Sequence, residues 1–196
     1  FSSSFPGQPD PFTLQNVAKA IAAFERTLLS ADSPYDRYQF AGDQAAISES
    51  AKRGEELFFG EKTECFHCHG GFNLTETVDF EGKGETEIEF HNTGLYNLGR
   101  NGDYPAGNTG VHAVTGKADD MGRFKAPSLR NVAVTAPYMH DGRFKTLEEA
   151  VAHYCSGVQP SPTLDPNLAK HPDGGLRLDS QDQQALVAFL HTLTEP

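Results

Sequence analysis

The chain has 196 residues, enough for one domain of ordinary size with a sizeable core. Its 27 acidic and 16 basic residues give a formal charge of −11, which argues against nucleic acid or an anionic membrane surface as the main partner. The sequence holds no run of about 18 apolar residues, so it predicts no membrane span. A signal peptide is not visible and residue 1 is phenylalanine, so we expect a mature or cut product.

Four helices are predicted, each with apolar residues at helical spacing. Their approximate bounds are 13–31, 48–59, 146–155 and 180–193. Thr13 is interpreted as the cap of the first helix, and Asp32-Ser33-Pro34 as its end. Thr146 opens a capping box for the third helix. The apolar residues of the first helix share one face: Leu14, Val17, Ala18, Ile21, Phe24 and Leu28.

Between the second and third helices, Cys65-Phe66-His67-Cys68-His69 reads C-x-x-C-H, the attachment signature of a c-type haem. Both thiols can form thioethers to one porphyrin, and His69 then reaches the iron from the proximal side. A zinc site that uses Cys65, Cys68 and two histidines is the alternative, which the absence of further cysteine pairs disfavours. Because this motif receives its haem outside the bacterial cytoplasm, it predicts a periplasmic protein.

A long segment from about 73 to 137 carries little helical signal and recurrent glycine, which suits a loop that wraps a large flat cofactor. The order of elements therefore predicts a mainly helical, cytochrome c-like haem domain with long irregular haem-wrapping loops. Cys155 is left over from the haem motif. We interpret it as a small buried apolar residue, with a free thiol or an intermolecular bridge as alternatives.

The residue opposite His69 on the iron decides the character of the haem. Electron-transfer cytochromes c use methionine there, and this chain has only Met121 and Met139. Tyr154 is the main alternative, because a hard anionic oxygen stabilises ferric iron and supports higher oxidation states. Met121, Met139, His153 and an open site without a sixth ligand are further alternatives.

The stretch from Met121 to Gly142 resembles the second half of the bacterial di-haem cytochrome c peroxidase and MauG family. The resemblance continues to Tyr154 and covers the haem motif, residues 20–28 and residues 33–37. Phe90-His-Asn-Thr-Gly-Leu-Tyr-Asn97 is most similar to the MbnH-type branch, which converts a tryptophan of a copper-binding partner protein to kynurenine. The resemblance thus implies a haem-dependent oxidoreductase in which hydrogen peroxide oxidises a periplasmic protein through high-valent haem.

The resemblance also implies roles for individual residues. MauG-like members have tyrosine where classical peroxidases place the methionine ligand, so Tyr154 and His69 are expected to be the iron ligands and catalytic residues. Arg130 is expected to pair with a haem propionate. His140 is expected to lie near the haem and the domain interface. The backbone carbonyls of Thr135 and Pro137 are expected to bind calcium.

The family carries two haems, whereas this chain has one motif, so the resemblance implies half of an enzyme. Residues 1–47 are expected to be a linker and a helix packing towards the N-terminal haem domain, and residues 48–196 the haem domain. The other half, on another chain or a lost fragment, would carry a second haem c that reacts with peroxide. Two alternatives stay open: a classical di-haem peroxidase fed by a small cytochrome, and a mono-haem electron carrier.

Overall fold

The computed structural model describes residues 1–77, 89–171 and 173–196, so residues 78–88 of the predicted long loop lie outside the described residues. The helices are α1 (Leu14–Glu25), α2 (Pro34–Ala41), α3 (Glu49–Phe58), α4 (His112–Thr115), α5 (Leu147–Ala152), α6 (Pro166–Ala169) and α7 (Ser180–His191). In these ranges the extended chain forms isolated bridges and no regular strand. The prediction of a mainly helical fold is confirmed. None of the described helices is long and apolar enough to cross a membrane.

The chain divides into two compact units, Phe1–Ala31 and Asp32–Pro196. The first unit contains α1, and the Thr13 side chain accepts a hydrogen bond from the Asn16 N–H, as expected of the predicted cap. The large apolar side chains on the predicted face of α1 are exposed to solvent: Leu14, Val17, Ile21, Phe24 and Leu28. An apolar stripe of this kind usually packs against another element.

Helix α2 corrects the sequence interpretation of Asp32-Ser33-Pro34 as a stop signal. Ser33 is instead the N-cap of α2, since its hydroxyl accepts from the Asp36 N–H and the Asp36 carboxylate accepts from the Ser33 N–H. Pro34 occupies the first turn, where its missing N–H costs nothing. These residues form a capping box, which was readable as a helix start.

Helices α3 and α7 pack against each other in the core of the second unit, and both confirm predicted elements. Phe189 of α7 is fully buried, and its ring lies 5.2 Å from the ring of Tyr35 and 5.1 Å from that of Phe58. Gly54 lets the two backbones approach closely. A Cβ atom added at Gly54 would lie 2.7 Å from the Cβ of Phe189 and would overlap the carbonyl of Ala185.

Gly54→Ala is therefore expected to lower the free energy of unfolding by about 1–3 kcal/mol, the usual cost of overpacking. The new methyl group has no free volume, and this cost outweighs the gain of about 1 kcal/mol in helix propensity. Urea denaturation of the haem-loaded protein measures the change. Ser50→Ala, on the exposed face of the same helix, is the control, and equal stabilities of the two variants would contradict the packing argument.

The third predicted helix begins as expected but ends differently. Thr146 and Glu149 form both bonds of the predicted capping box, and α5 runs only to Ala152. A single π-helical turn, His153–Gly157, follows where the sequence predicted continued α-helix. Such turns often occur at functional sites, and this one carries Tyr154.

Candidate haem site

The C-x-x-C-H motif lies on a short 3-10 turn, Cys65–His67, that directly follows Glu64 in the left-handed conformation (φ 52°). The N–H of His69 donates to the Cys65 carbonyl at 3.0 Å, which folds the motif into one compact turn. Both motif thiols are half-buried and free. Burial raises the pKa of Cys65 to about 11 and raises that of Cys68, so both groups are neutral thiols.

The imidazole of His69 is oriented by two backbone carbonyls. Its Nδ1 atom lies 3.3 Å from the Leu74 oxygen and 3.1 Å from the Pro127 oxygen. Because carbonyls only accept, Nδ1 carries the proton and Nε2 keeps the lone pair that binds a metal. Burial also lowers the pKa of His69 to about 4, which keeps the ring in the neutral form a ligand needs. Two thiols and this histidine together fit the attachment of a c-type haem.

Tyr154 lies close to the motif although it is far away in sequence. Burial raises the pKa of its phenol, and the neighbouring Cys68 and Cys65 raise it further. The π-helical turn is held by residues 174–176: the Leu176 N–H donates to the Tyr154 carbonyl at 2.9 Å. Gly175 makes this contact possible, since a Cβ atom there would lie 2.6 Å from the backbone carbonyl oxygen of Tyr154. The fold thus buries the Tyr154 phenol within electrostatic range of the two thiols that would hold a haem.

His153, the neighbouring candidate ligand, is engaged elsewhere. Its Nε2 atom lies 2.8 Å from the Thr93 carbonyl, and burial lowers the pKa of its ring. A Cβ atom at Gly157 would lie 2.9 Å from its Nδ1 atom. The structure therefore gives His153 a structural role in fixing the turn that carries Tyr154.

The sequence interpretation missed a buried charged group beside Cys68. His91 lies between two carboxylates, with Nδ1 2.6 Å from Asp165 and Nε2 3.1 Å from Glu76. The hydrogen bond with Asp165 and then the one with Cys68 raise the pKa of His91 to about 11, so the ring is an imidazolium. Ligand atoms of Cys68, His91 and Asp165 lie within 4.8 Å of one another, as in a metal site. If Cys68 binds haem through a thioether, its sulfur is no longer a thiol ligand for a metal. His91 and Asp165 would then remain as an ion pair at the haem edge.

Arg130 has a protein carboxylate as its partner. Its Nη1 atom donates to both oxygens of Asp36, at 3.0 and 2.7 Å, and both side chains are buried. Its Nε and Nη2 atoms donate to the Phe72 carbonyl, and the guanidinium lies 4.1 Å from the centre of the Phe72 ring. A haem propionate would have to share these donors, and the predicted propionate contact stays a prediction.

The remaining predicted site residues lie on the turn after residue 134. Thr135 and Pro137 are both exposed to solvent. His140 stacks on Phe124 with ring centres 3.7 Å apart. Its buried Nε2 atom has no hydrogen-bond partner among the described residues, and burial lowers its pKa. Calcium at the turn and haem contact at His140 stay predictions.

Comparison with known proteins shows what the chain is similar to. Residues 1–45 match the family model described as di-haem cytochrome c peroxidase. The methylamine utilization protein MauG of Methylorubrum extorquens is 34% identical over 98% of this chain and 48% of its own length. Cytochrome c551 peroxidase of Pseudomonas aeruginosa is 36% identical over 99% of this chain and 48% of its length.

Among solved structures, a MauG-like protein associated with microbial copper homeostasis is 43% identical, with a TM-score of 0.78 over 100% of this chain and 57% of that one. This likeness confirms the predicted fold class, a mainly helical cytochrome c-like domain. The chain spans about half the length of the curated relatives it matches.

Proposed function

Because this chain belongs to the MauG and di-haem cytochrome c peroxidase family, we propose that it is the C-terminal haem domain of a MauG-like peroxidase. The whole enzyme would use hydrogen peroxide to oxidise a tryptophan of a partner protein in the periplasm. The observation that carries the proposal is the buried phenol of Tyr154, which lies within electrostatic range of Cys68 and Cys65. A phenol at this position favours a haem that supports oxidation over one tuned for electron transfer.

Four residues of this chain would hold the haem. Cys65 and Cys68 would bind it covalently through thioethers, and His69 Nε2 and the Tyr154 phenol oxygen would bind the iron. When bound, the haem supplies one-electron oxidation and reduction at its iron. Leu74 and Pro127 hold the Nδ1 proton of His69, which fixes the ring and strengthens it as a ligand.

A classical cytochrome c peroxidase is the second candidate, since the identity to cytochrome c551 peroxidase matches the identity to MauG. The two candidates differ in the ligand opposite His69. A methionine ligand gives a high-potential haem that ascorbate reduces, whereas tyrosinate stabilises the ferric form. A haem in this chain that stays oxidised in ascorbate supports the MauG-like enzyme.

The proposal also includes a calcium site and two haem contacts. The backbone carbonyls of Thr135 and Pro137, two exposed residues, would bind calcium together with an oxygen ligand from outside this chain. His140 would lie near the haem and the domain interface, where its buried and unpaired Nε2 atom is available. Arg130 would contact a haem propionate in addition to Asp36.

The rest of the enzyme would be a second haem domain, encoded outside this sequence or on another chain. Two observations support it: the curated relatives are about twice as long as the matched region, and the apolar face of α1 is exposed. Residues 1–47 would pack towards that domain, and residues 48–196 would form the present one. The protein substrate would bind copper, as the association of the MauG-like relative with copper homeostasis suggests.

Haem counting in the native protein tests the proposal. We expect two haems c for each copy of this sequence, measured as haem absorbance against intact protein mass. The second haem should react with peroxide before the haem of this chain changes. A native assembly with one haem per copy would rule out the two-domain enzyme and favour the mono-haem electron carrier.

A further inference from the structure

Four aromatic rings pack together, those of Tyr96, Tyr104, Phe124 and His140. The rings of Tyr96 and Tyr104 are 5.2 Å apart, and Tyr104 lies 6.0 Å from His140 and 6.3 Å from Phe124. Gly122 makes room for Tyr104, since a Cβ there would overlap its ring. The Tyr104 hydroxyl donates to the side chain of Asn92, the residue after His91, and a ring nitrogen of His91 lies within 4.8 Å of the Cys68 sulfur. The cluster therefore connects the haem motif with Tyr96.

Tyr96 has a proton acceptor of its own. Its hydroxyl donates to Asp141 Oδ2 at 2.8 Å, and Arg143 donates to the same oxygen at 2.8 Å. Burial opposes the charge on Asp141, but these bonds outweigh it and hold the pKa below its usual value. The carboxylate is thus ionised at neutral pH and ready to take a proton. The Arg143 guanidinium also lies 4.1 Å from the centre of the Tyr96 ring.

Tyr104 lacks such an acceptor, because its hydroxyl donates to the Asn92 amide oxygen at 2.5 Å. A phenol that loses an electron must release its proton, and an amide is too weak a base to accept it. We propose that Tyr96 is a redox-active tyrosine of this domain, with Tyr104 as the bridge towards the haem and Asp141 as the proton acceptor. This proposal rests on the proposed function, which supplies the oxidant.

The chemistry balances in one-electron steps. Tyr96 loses one electron, which passes through Tyr104 towards the haem oxidised by hydrogen peroxide, and its phenolic proton moves to Asp141 Oδ2. The neutral tyrosyl radical then takes one electron from an aromatic side chain of the protein substrate and takes the proton back from Asp141. Two such events supply the two electrons that, together with two protons from solvent, reduce one hydrogen peroxide molecule to two water molecules.

Tyr96 also borders a surface cleft of 580 Å³, whose lining includes Arg143, Phe144 and His153. The ring is half-buried and packs on the ring of Tyr104. The chain has no tryptophan, so a relay within it depends on tyrosine. The cleft gives the Tyr96 radical access to an external electron donor.

Radical trapping in the native haem-loaded assembly tests the relay. The protein is mixed with hydrogen peroxide and a nitrone spin trap, haem absorbance is followed, and peptide mass spectrometry locates the adduct. We expect the adduct on Tyr96, its loss in Tyr96→Phe, and its retention in Tyr38→Phe, a half-buried tyrosine outside the ring cluster. An adduct elsewhere that Tyr96→Phe leaves unchanged would overturn the relay, while unchanged haem absorbance in the wild type would overturn the proposed function.

A photochemical measurement decides the relay without peroxide. A ruthenium polypyridyl photo-oxidant generates tyrosyl radicals in a laser flash, whatever the reactivity of the haem. Asp141→Asn keeps a hydrogen-bond acceptor but not a proton acceptor, and should slow Tyr96 oxidation by on the order of 10²-fold. Arg143→Gln should speed it, because it removes the cation over the ring and makes Asp141 more basic. Equal rates of Tyr96 oxidation in the wild type, Asp141→Asn and Arg143→Gln would exclude the proposed role of Asp141.

Discussion

Replacing Tyr154 with phenylalanine in the haem-loaded protein is expected to lower the rate of partner oxidation by on the order of 10²-fold. The substitution removes the buried phenol oxygen and leaves the ring to fill its place in the π-helical turn. Because the oxygen would stabilise oxidised iron, its loss should raise the potential of this haem. Haem absorbance and a redox titration report the change of ligand, and partner oxidation reports the consequence.

Two further variants separate ligation from packing. Tyr154→Met should give a six-coordinate haem that ascorbate reduces, as in a classical peroxidase. Tyr38→Phe removes a half-buried phenol elsewhere and should change neither the spectrum nor partner oxidation. If Tyr154→Phe has the spectrum, potential and activity of the wild type, Tyr154 is not a ligand and the MauG-like proposal fails.

The capping signals explain why most helices could be predicted from the sequence. Thr13, Ser48 and Thr146 accept hydrogen bonds from backbone N–H groups in the first turns of α1, α3 and α5. These signals are local, so they can be recognised without the tertiary structure. Helix α2 was not predicted because Ser33-Pro34 can mark either the end of one helix or the start of the next. Only Asp36, at the third position of α2, identifies it as a helix start.

The surroundings of the haem motif depend on contacts distant in sequence. The spacing of Cys65, Cys68 and His69 is a local pattern and was sufficient to predict a haem. The pairing of His91 with Asp165 joins residues 74 positions apart, and no local pattern marks it. The π-helical turn at Tyr154 depends on the backbone approach of Gly175, which is likewise non-local. The surroundings of the haem motif therefore depend on contacts between residues far apart in sequence, which local patterns do not reveal.

Arg130→Met is expected to lower the free energy of unfolding by about 3–5 kcal/mol, the usual cost of removing one partner of a buried ion pair. The Arg130 and Asp36 side chains are only 6% and 4% exposed. The variant would leave the Asp36 carboxylate buried, with the Ser33 hydroxyl and N–H as its remaining donors. Denaturant unfolding of the haem-loaded protein at neutral pH measures the loss.

The effect should depend on pH in a defined direction. Burial alone would raise the pKa of Asp36, but hydrogen bonds from Arg130 and Ser33 outweigh it and lower the pKa below its usual value. A lowered folded-state pKa stabilises the protein above the unfolded pKa of about 3.9, and this stabilisation is lost as the pH falls through the folded pKa. Without Arg130 the carboxyl protonates more readily, so the two proteins should approach equal stability in acid.

Two controls distinguish a buried charge from a general loss of packing. Arg37→Met removes an exposed partner of Asp32, a pair 3.6 Å apart, and should cost less than about 1 kcal/mol. The double variant Arg130→Met with Asp36→Leu should recover most of the stability, because it removes the stranded charge together with its partner. Two results together would contradict the buried-charge argument: Arg130→Met is equally destabilised at neutral and acidic pH, and Asp36→Leu does not restore its stability. They would show that Arg130 stabilises the fold by packing on Phe72.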